Sequence, residues 1–317
     1  MNKINVAIIG CGRIGFLNDF QKNISGTYSH FKAIQSDKAF DLVAVCDLSI
    51  KTRKTIKLKY KIPTYKSYLK LFSKHKVDLV VVSSSDDSHY KILKDLVRYK
   101  PKHVFCEKPL LKNITQAEEI VNIYKKNRIK ITVNFSRRFS RYFHDLKRMI
   151  DNNHFGEIKS FELRYSRGFY HNAIHWLDLS LWYFGKPNKI KILRNVPSKS
   201  FIKDRDIDLK LIYKDIDVKI IGIDIDLLGN EELDIIGTKG RLTINPEDKF
   251  TIYKIQKHKI YENTRVFVRN SQHTMKNGDL LKNAYNNIKK QILKKNVLNI
   301  SSGEISLKLL KMIEDLK

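Results

Sequence analysis

The sequence has few cysteines and no long apolar run. Its 317 residues include three cysteines, an odd number without the spacing of a zinc site, which argues against a disulfide framework and a structural zinc site. No uninterrupted apolar run approaches the roughly 20 residues that a membrane-spanning helix needs. The apolar stretch at residues 6–9 is too short for the core of a signal peptide. We therefore expect a cytoplasmic protein that does not contact a membrane.

Acidic residues are also scarce, since 33 Asp and Glu face 61 Lys and Arg and the formal net charge is +28. The excess is +15 in residues 1–133 and +13 in the remainder, so no basic tail or arm concentrates it. Lysine supplies 46 of the 61 basic residues, whereas recognition of phosphates and bases favours the planar fork of arginine. We expect no specific nucleic-acid partner. A basic nucleic-acid binder remains the alternative, and retention on heparin that collapses at modest salt would reflect only nonspecific charge.

The pattern of apolar residues changes near residue 134, where no Pro/Gly-rich linker occurs. Before that point, short apolar runs alternate with amphipathic segments, which is typical of a parallel sheet with crossover helices. The predicted strands are 5–9, 41–46, 79–83, 103–106 and 130–134, and the predicted helices are 29–36, 51–60, 68–75, 88–99 and 115–127. In the last helix, Thr115 and Glu118 are interpreted as a capping box.

Beyond residue 134, period-2 alternation predicts a largely antiparallel sheet. A helix over 138–151 precedes it, and two helices near 279–293 and 303–316 close the chain. The predicted strands of this part are 157–166, 207–213, 217–226, 231–236, 241–244 and 250–255.

A glycine-rich segment, Gly10-Cys11-Gly12-Arg13-Ile14-Gly15, follows the first predicted strand directly. Gly10 permits a tight turn, Gly12 lets the backbone approach a pyrophosphate, and Gly15 allows close packing of helix on strand. The N–H groups of the helix that follows can bind the phosphates. The position after a strand predicts a dinucleotide-binding segment that includes Arg13 and Ile14.

An acidic residue, Asp47, ends the second predicted strand, where it could hydrogen-bond the adenosine ribose or simply cap the next helix. An acidic ribose contact favours NAD(H), while Lys51 and Arg53 keep NADP(H) possible. Asp47 lies farther along the chain from the glycines than the usual distance of about 20 residues. Residues 18–27 are interpreted as an insertion, and we hypothesise that it forms a lid over the substrate cleft.

Two further segments follow strands of the predicted parallel sheet. Ser83, Ser84 and His89 lie in a Ser/Asp-rich stretch that could line a nicotinamide ribose or form a plain turn with helix caps. In Glu107-Lys108-Pro109, proline biases Lys108 toward an extended backbone at the edge where a cofactor's reactive ring would lie. Burial and nearby positive charge there would lower the pKa of Lys108 toward the range for proton transfer, with Glu107 orienting it. An exposed turn lysine is the alternative.

A third cluster lies in the second part of the chain, where His171, His175 and Asp178 fall at i, i+4 and i+7 on one face of a predicted helix. Asp178 could hold His175 in one tautomer, which suits a general acid or base. Two histidines and a carboxylate could also bind a metal, although no third motif nearby supports this. A structural His–Asp pair is the remaining alternative.

Together these motifs resemble the Gfo/Idh/MocA oxidoreductase family. The resemblance extends through most of the chain and rests mainly on the ordered pair E-K-P and H-x-x-D. Its segments are Gly10–Gly15, Asp47, 83–89 in place of A-T-P-x-x-x-H, 107–109, 134–138, His175 with Asp178, and 232–243.

The resemblance implies an α/β protein with two domains. The first, residues 1–133, would be a Rossmann domain that binds NAD(H), or possibly NADP(H), through Gly10, Gly12, Arg13, Ile14, Gly15, Asp47, Ser83, Ser84, His89, Glu107 and Lys108. The second, residues 134–317, would be an α+β substrate-binding domain whose open, largely antiparallel sheet often forms the interface of a homodimer or homotetramer.

The activity implied is hydride transfer to or from a carbon of a sugar, with a nucleotide-sugar or other anionic sugar favoured by the cationic surface. Lys108 and His175 would handle the hydroxyl proton, no metal would be needed, and Arg137, His171, Asn172 and Asp178 would contact substrate. His171 replaces an acid that the family often has, which indicates a different proton relay or a different substrate. Redox-neutral NAD-dependent chemistry, of the glycosidase or epimerase type, and non-catalytic cofactor sensing are the alternatives.

Overall fold

Six strands of the first part of the chain form one parallel sheet in a computed structural model that describes residues 3–20, 26–199, 204–227, 231–294 and 296–314. The strand order is β3-β2-β1-β4-β5-β6. The order reverses beside β1, and such a switch point is where open α/β sheets bind ligands. The strands are β1 (Ile4–Ile9), β2 (Phe40–Cys46), β3 (Thr64–Tyr65), β4 (Leu79–Val82), β5 (His103–Cys106) and β6 (Lys130–Val133).

Five of these strands end in register at the same edge of the sheet. Ile9 pairs with Cys46 and Val82, and Cys106 pairs with Val82 and Val133. The ladder continues for one more residue, because the next backbone N–H of each strand donates to its neighbour at 2.8–3.0 Å. We call these five residues the edge row: Gly10, Asp47, Ser83, Glu107 and Asn134.

The helices of the first part are α1 (His30–Gln35), α2 (Ile50–Tyr60), α3 (Tyr68–Phe72), α4 (Asp86–Leu96) and α5 (Ile114–Lys126). The chain forms two compact units, residues 1–140 with 277–311, and residues 141–276 with 312–317. Helix α8 (Leu280–Leu293) therefore belongs to the first unit, where Tyr285 and Ile288 join Phe31 and Phe105 in one buried apolar cluster. The sequence analysis assigned this segment to the second domain, because its periodicity shows an apolar face without showing what covers it.

The second unit has an eight-stranded sheet among its described residues, in the order β14-β13-β12-β11-β7-β10-β9-β8. All pairs are antiparallel except β10 with β7, which confirms the predicted fold class. Two helices accompany it, α6 (Arg141–Asp151) and α7 (Ile174–Phe184), and α9 (Gly303–Glu314) ends the described chain. The strands are β7 (Ile158–Tyr165), β8 (Lys189–Pro197), β9 (Arg205–Ile212), β10 (Asp217–Gly222), β11 (Glu232–Gly237), β12 (Gly240–Ile244), β13 (Lys249–Lys257) and β14 (Arg265–Thr274).

Several predicted elements differ from the structure. The sequence analysis missed β8 and β14, which form the two edges of the second sheet and have mostly exposed or half-buried residues without a clean apolar alternation. The predicted capping box was wrong, because α5 begins at Ile114 and Asn113 caps it by accepting a hydrogen bond from Gln116 N at 3.0 Å. Asparagine serves this role as well as threonine does. Within the described ranges, no helix is both long and apolar enough to cross a membrane.

Candidate functional site

The glycine-rich segment forms a tight turn at the end of β1. Gly10 has φ +92, and a Cβ there would lie 2.6 Å from the main-chain carbonyl of Ser83, so only glycine fits. Ser83 Oγ in turn donates to Gly10 O at 2.7 Å. By contrast, a Cβ on Gly12 would meet nothing within 4 Å. The turn therefore leaves open space beside the Gly12 backbone, as a phosphate-binding segment requires.

Arg13 and Ile14, the other residues of this segment that are predicted to bind the cofactor, differ in exposure. Arg13 is exposed, while Ile14 is partly buried against the core cluster. Residues 17–20 form a short 3-10 turn after them. Half of the proposed lid, residues 21–25, lies outside the described residues. At its far end, Thr27 N donates to Gly278 O at 2.8 Å.

Asp47 links the end of β2 to the glycine turn. Its Oδ2 accepts from Cys11 N and its Oδ1 accepts from Ser49 N, both at 2.7 Å. The Arg53 guanidinium donates to the carbonyl oxygens of Asp47 and Leu48 at 2.7 and 2.8 Å. Asp47 thus braces the turn and also places a half-buried carboxylate beside it. Arg53 is bonded to main-chain carbonyls of the same loop.

The segment after β4 is held together internally. Ser84 Oγ and Ser88 Oγ lie 2.6 Å apart. His89 is fully buried, with Nδ1 3.1 Å from Pro109 O and Nε2 3.3 Å from Ser84 O. A side chain without exposed surface cannot touch a cofactor, so His89 joins this loop to the one after β5 instead of providing the contact that the sequence analysis expected.

Glu107 lies in a hydrogen-bonded cluster that the sequence analysis did not predict. His30 Nε2 lies 2.9 Å and Asn134 Nδ2 2.7 Å from the same oxygen, Oε1. Burial raises the pKa of Glu107, but the hydrogen bonds from His30 and Asn134 and the positive charge of Lys108 outweigh it and hold the pKa below its ordinary value. The residue directly before Lys108 is therefore a fixed carboxylate. Lys108 itself is half-buried.

The later part of the β6 segment places two arginines in different environments. Arg138 is buried and its Nη1 donates to Ile300 O at 3.2 Å, which ties this turn to the returning C-terminal segment. Arg137, the predicted substrate residue, is half-buried.

The predicted site residues of the second unit lie within one short segment, residues 171–178. His175 and Asp178 lie on the first turns of α7 and are 8% and 0% exposed. His171 and Asn172 lie in the π-helical turn before it, where His171 N donates to Asp204 Oδ2 at 3.0 Å and Asn172 Nδ2 donates to Ser166 O at 2.9 Å. In the described part of the chain, no group of three or more His, Cys, Asp or Glu side chains is placed to hold a metal ion. The three cysteines are free and buried.

Sequence reasoning missed His30, Asn134 and Tyr285 as members of this site. The contacts of His30 reach Glu107, 77 residues away, and Tyr285, 255 residues away. Local periodicity carries no signal for such contacts. The one available signal was that Asn134 ends the predicted strand 130–134, which is the next strand along the chain after the one that Glu107 follows.

A dinucleotide fits the residues at this edge of the first unit. The open space at Gly12, the carboxylate of Asp47 beside the turn and the switch point at β1 form the arrangement that holds a pyrophosphate and a ribose in Rossmann folds. Residues 4–135 match the sequence model for Gfo/Idh/MocA, described as "Oxidoreductase family, NAD-binding Rossmann fold". Residues 4–135 are thus similar to the NAD-binding domain of the Gfo/Idh/MocA family. The match confirms the predicted resemblance and the predicted cofactor class.

Two curated relatives to which the chain is similar are named as inositol dehydrogenases. It is 28% identical over 191 residues to inositol 2-dehydrogenase/D-chiro-inositol 3-dehydrogenase from Lactiplantibacillus plantarum, a match that covers 56% of this chain and 51% of that protein. It is 29% identical over 155 residues to myo-inositol 2-dehydrogenase from Thermotoga maritima, covering 49% and 42%. The chain spans about half the length of these curated relatives.

Similarity of fold extends over nearly the whole chain. An oxidoreductase from Agrobacterium radiobacter, crystallised with NAD+, L-tartaric acid and magnesium, superposes with a TM-score of 0.75 at 17% identity. The superposition covers 99% of this chain and 95% of that one. At this identity the likeness supports the fold of both units and nothing about ligands.

Proposed function

We propose that this protein is an NAD-dependent dehydrogenase that oxidises or reduces a hydroxyl-bearing carbon of a sugar or cyclitol. The observation that carries the proposal is the edge row, because it sets the glycine turn, Asp47 and the Glu107-Lys108 segment at one edge of one sheet. The names of the two inositol dehydrogenases support the substrate class. A nucleotide-sugar or other anionic sugar is the finer proposal, supported by the net charge of +28.

Each group has a specific task in this proposal. The Gly10–Gly15 turn and the first turns after it would bind the pyrophosphate, and Asp47 would accept hydrogen bonds from the adenosine ribose. The nicotinamide, when bound, supplies the hydride chemistry. Lys108 would transfer the proton of the substrate hydroxyl, with His175 as the second proton-handling group and Asp178 orienting it. Arg137, His171 and Asn172 would contact the substrate.

Cofactor preference follows from the loop after β2. A carboxylate at the ribose position repels a 2′-phosphate, and the guanidinium of Arg53 already donates to two main-chain carbonyls of that loop. Both features favour NAD(H) over NADP(H).

The test is turnover with a panel of substrates and a matched pair of lysine variants. Uncharged cyclitols and sugars, uronates and nucleotide-sugars are each mixed with NAD+ or NADP+, and reduced nicotinamide is followed by its absorbance. Lys108→Ala should lose at least about a hundredfold in kcat, as expected for removal of a general acid–base group. Lys112→Ala is the control, since Lys112 lies four residues on but pairs with Asp86 and Asp87 at 3.3 and 3.2 Å.

Two results would contradict the proposal. Full turnover by Lys108→Ala would remove the assigned proton transfer. Product formed without stoichiometric reduced nicotinamide would instead favour the redox-neutral alternative.

An association of copies through the sheet of the second unit is also proposed. Its support is the exposed apolar surface on the edge strands, where Ile192, Leu193, Phe267 and Val268 are 36–56% exposed. Light scattering after gel filtration tests it, and a monomer at micromolar concentration would contradict it. A cytoplasmic location and the lack of a specific nucleic-acid partner stay predictions from the sequence.

A further inference from the structure

The cluster around Glu107 contains a buried histidine whose two ring nitrogens both have polar partners. His30 begins α1 directly after its N-cap, Ser29, and has no exposed surface. Its Nε2 lies 2.9 Å from Glu107 Oε1 and its Nδ1 lies 3.0 Å from Tyr285 Oη. The rings of Phe105 and Tyr285 meet the imidazole edge to face, with centroids 5.0 and 5.9 Å away. Packing and hydrogen bonds therefore fix this ring in one orientation.

The chemistry of the neighbours assigns the protons of this cluster. Burial raises the pKa of Tyr285 well above its ordinary value, and the negative charge of Glu107 adds to the effect, so the phenol keeps its proton. Tyr285 O–H can then donate to Nδ1, and Nε2–H donates to the carboxylate. A neutral imidazole satisfies both contacts.

Asn134 completes the environment of the carboxylate. Its Nδ2 donates to Glu107 Oε1 at 2.7 Å, and exchanging the amide atoms would place two acceptors together, so the orientation of this amide is fixed. The titratable groups that act on Glu107 or feel its charge are His30 on α1, Tyr285 on α8, and Cys106 and Lys108 beside it on the chain. His30 donates a hydrogen bond to the carboxylate from another element of the fold.

We infer that His30 is a positioning residue, which holds the Glu107 carboxylate ionised and fixed beside Lys108 and is itself held by Tyr285 of the returning helix α8. The inference rests on the proposed function for its catalytic consequence only. In that proposal Lys108 exchanges a proton with substrate next to this carboxylate, so loss of the Glu107 charge or position should reduce turnover. It also makes α8, which follows the second sheet in the sequence, a structural part of the cofactor-binding unit.

The first experiment measures the protonation state of the Glu107 carboxyl group and does not require turnover. Infrared difference spectra of the protein, with and without bound NADH, are recorded from pH 8 to pH 4, with Glu107→Gln identifying the carboxyl band. In the wild type, the protonated-carboxyl band of Glu107 should appear at a lower pH than that of an ordinary glutamate. In His30→Leu, a protonated-carboxyl band should appear at a pH at least about one unit higher, because a buried carboxylate has lost a charge-assisted hydrogen bond.

Three variants separate positioning from general damage to the fold. His30→Gln retains an amide N–H that can donate to Glu107 and should restore most of the wild-type titration. Tyr285→Phe removes only the hydroxyl and should shift the carboxyl band in the same direction by a smaller amount. This variant still tests the inference if His30→Leu does not fold. His103→Leu is the matched control, because His103 is also fully buried but lies at the opposite end of β5, 2.8 Å from Thr132 Oγ1.

Turnover then tests the catalytic consequence. With myo-inositol or the best substrate of the panel, His30→Leu should lower kcat about tenfold, while the Kd for NADH changes less than about threefold. The acid limb of the pH profile should move upward, because Glu107 then loses its charge at a higher pH. Unchanged carboxyl titration in both His30→Leu and Tyr285→Phe, or an equal shift in His103→Leu, would overturn the inference. Shifted spectra together with no dehydrogenase activity in any form would instead leave the role of His30 standing and refute the proposed function.

Discussion

Replacing Gly12 by alanine should separate cofactor binding from folding. A Cβ at this position meets no protein atom within 4 Å, and Gly12 is not among the glycines with positive φ. The fold therefore has no need of glycine here, and the substitution should leave the free energy of unfolding unchanged or raise it by up to about 1 kcal/mol through the less flexible unfolded chain. The same methyl group would project into the space that a pyrophosphate needs.

The expected loss of affinity follows from that geometry. Crowding a packed contact by one methyl group costs about 1–3 kcal/mol, so the Kd for NADH should rise by a factor of about 5 to 150. NADH fluorescence titration gives the Kd, and a urea unfolding curve gives the stability. Gly15→Ala is the control, since a Cβ there would overlap the carbonyl oxygen of Gly10 and should destabilise the fold itself. A Gly12→Ala protein that binds NADH with wild-type affinity would refute this placement of the pyrophosphate.

Two more predictions concern a buried histidine and the loop after β2. Burial and then the charge of Lys130 lower the pKa of His103 from 6.5 to about 3. Between those values the unfolded chain binds the proton and the folded chain does not. The free energy of unfolding should therefore fall as the pH drops through this window, by up to about 1.4 kcal/mol per pH unit. In His103→Leu, the urea midpoint should depend less steeply on pH. An unchanged slope would contradict the lowered pKa of His103. Asp47→Ala removes the acceptor of Cys11 N and the proposed ribose contact. Calorimetry should show that NADH binds about tenfold more weakly or worse, and that the preference for NADH over NADPH is reduced. Equal losses of affinity for both cofactors would argue against a contact between Asp47 and the ribose.

The sequence was sufficient for the parts of the fold that depend on local pattern. The apolar runs located every strand of the parallel sheet except the two-residue β3, and the residues that follow them supplied four of the five members of the edge row as predicted site residues. Asn134, the fifth, appeared only within a family motif. Its significance depends on Glu107 of the neighbouring strand, and pairing between strands is not visible in either segment alone.

The parts that the sequence did not reveal depend on long-range packing. Helix α8 has an apolar face that could cover either unit, and only the structure shows Tyr285 against Phe105 and His30. His89 illustrates the converse, because its position in a family motif indicated a ligand contact while its burial indicates a structural link between two loops. Strands β8 and β14 were missed because edge strands need only one hydrogen-bonded neighbour and tolerate charged side chains.

The edge row has a consequence for how this scaffold tolerates change in chain length. Each of its residues is held by the sheet ladder on its N-terminal side, whereas the loop on its C-terminal side is not part of that ladder. Residues can therefore be gained or lost within these loops without moving a row position. A single insertion within β1 or β5 would have the opposite effect, because it would turn every later side chain of that strand to the other face. Loop grafting for new specificity should accordingly begin beyond the glycine turn and Lys108 and leave the strands intact.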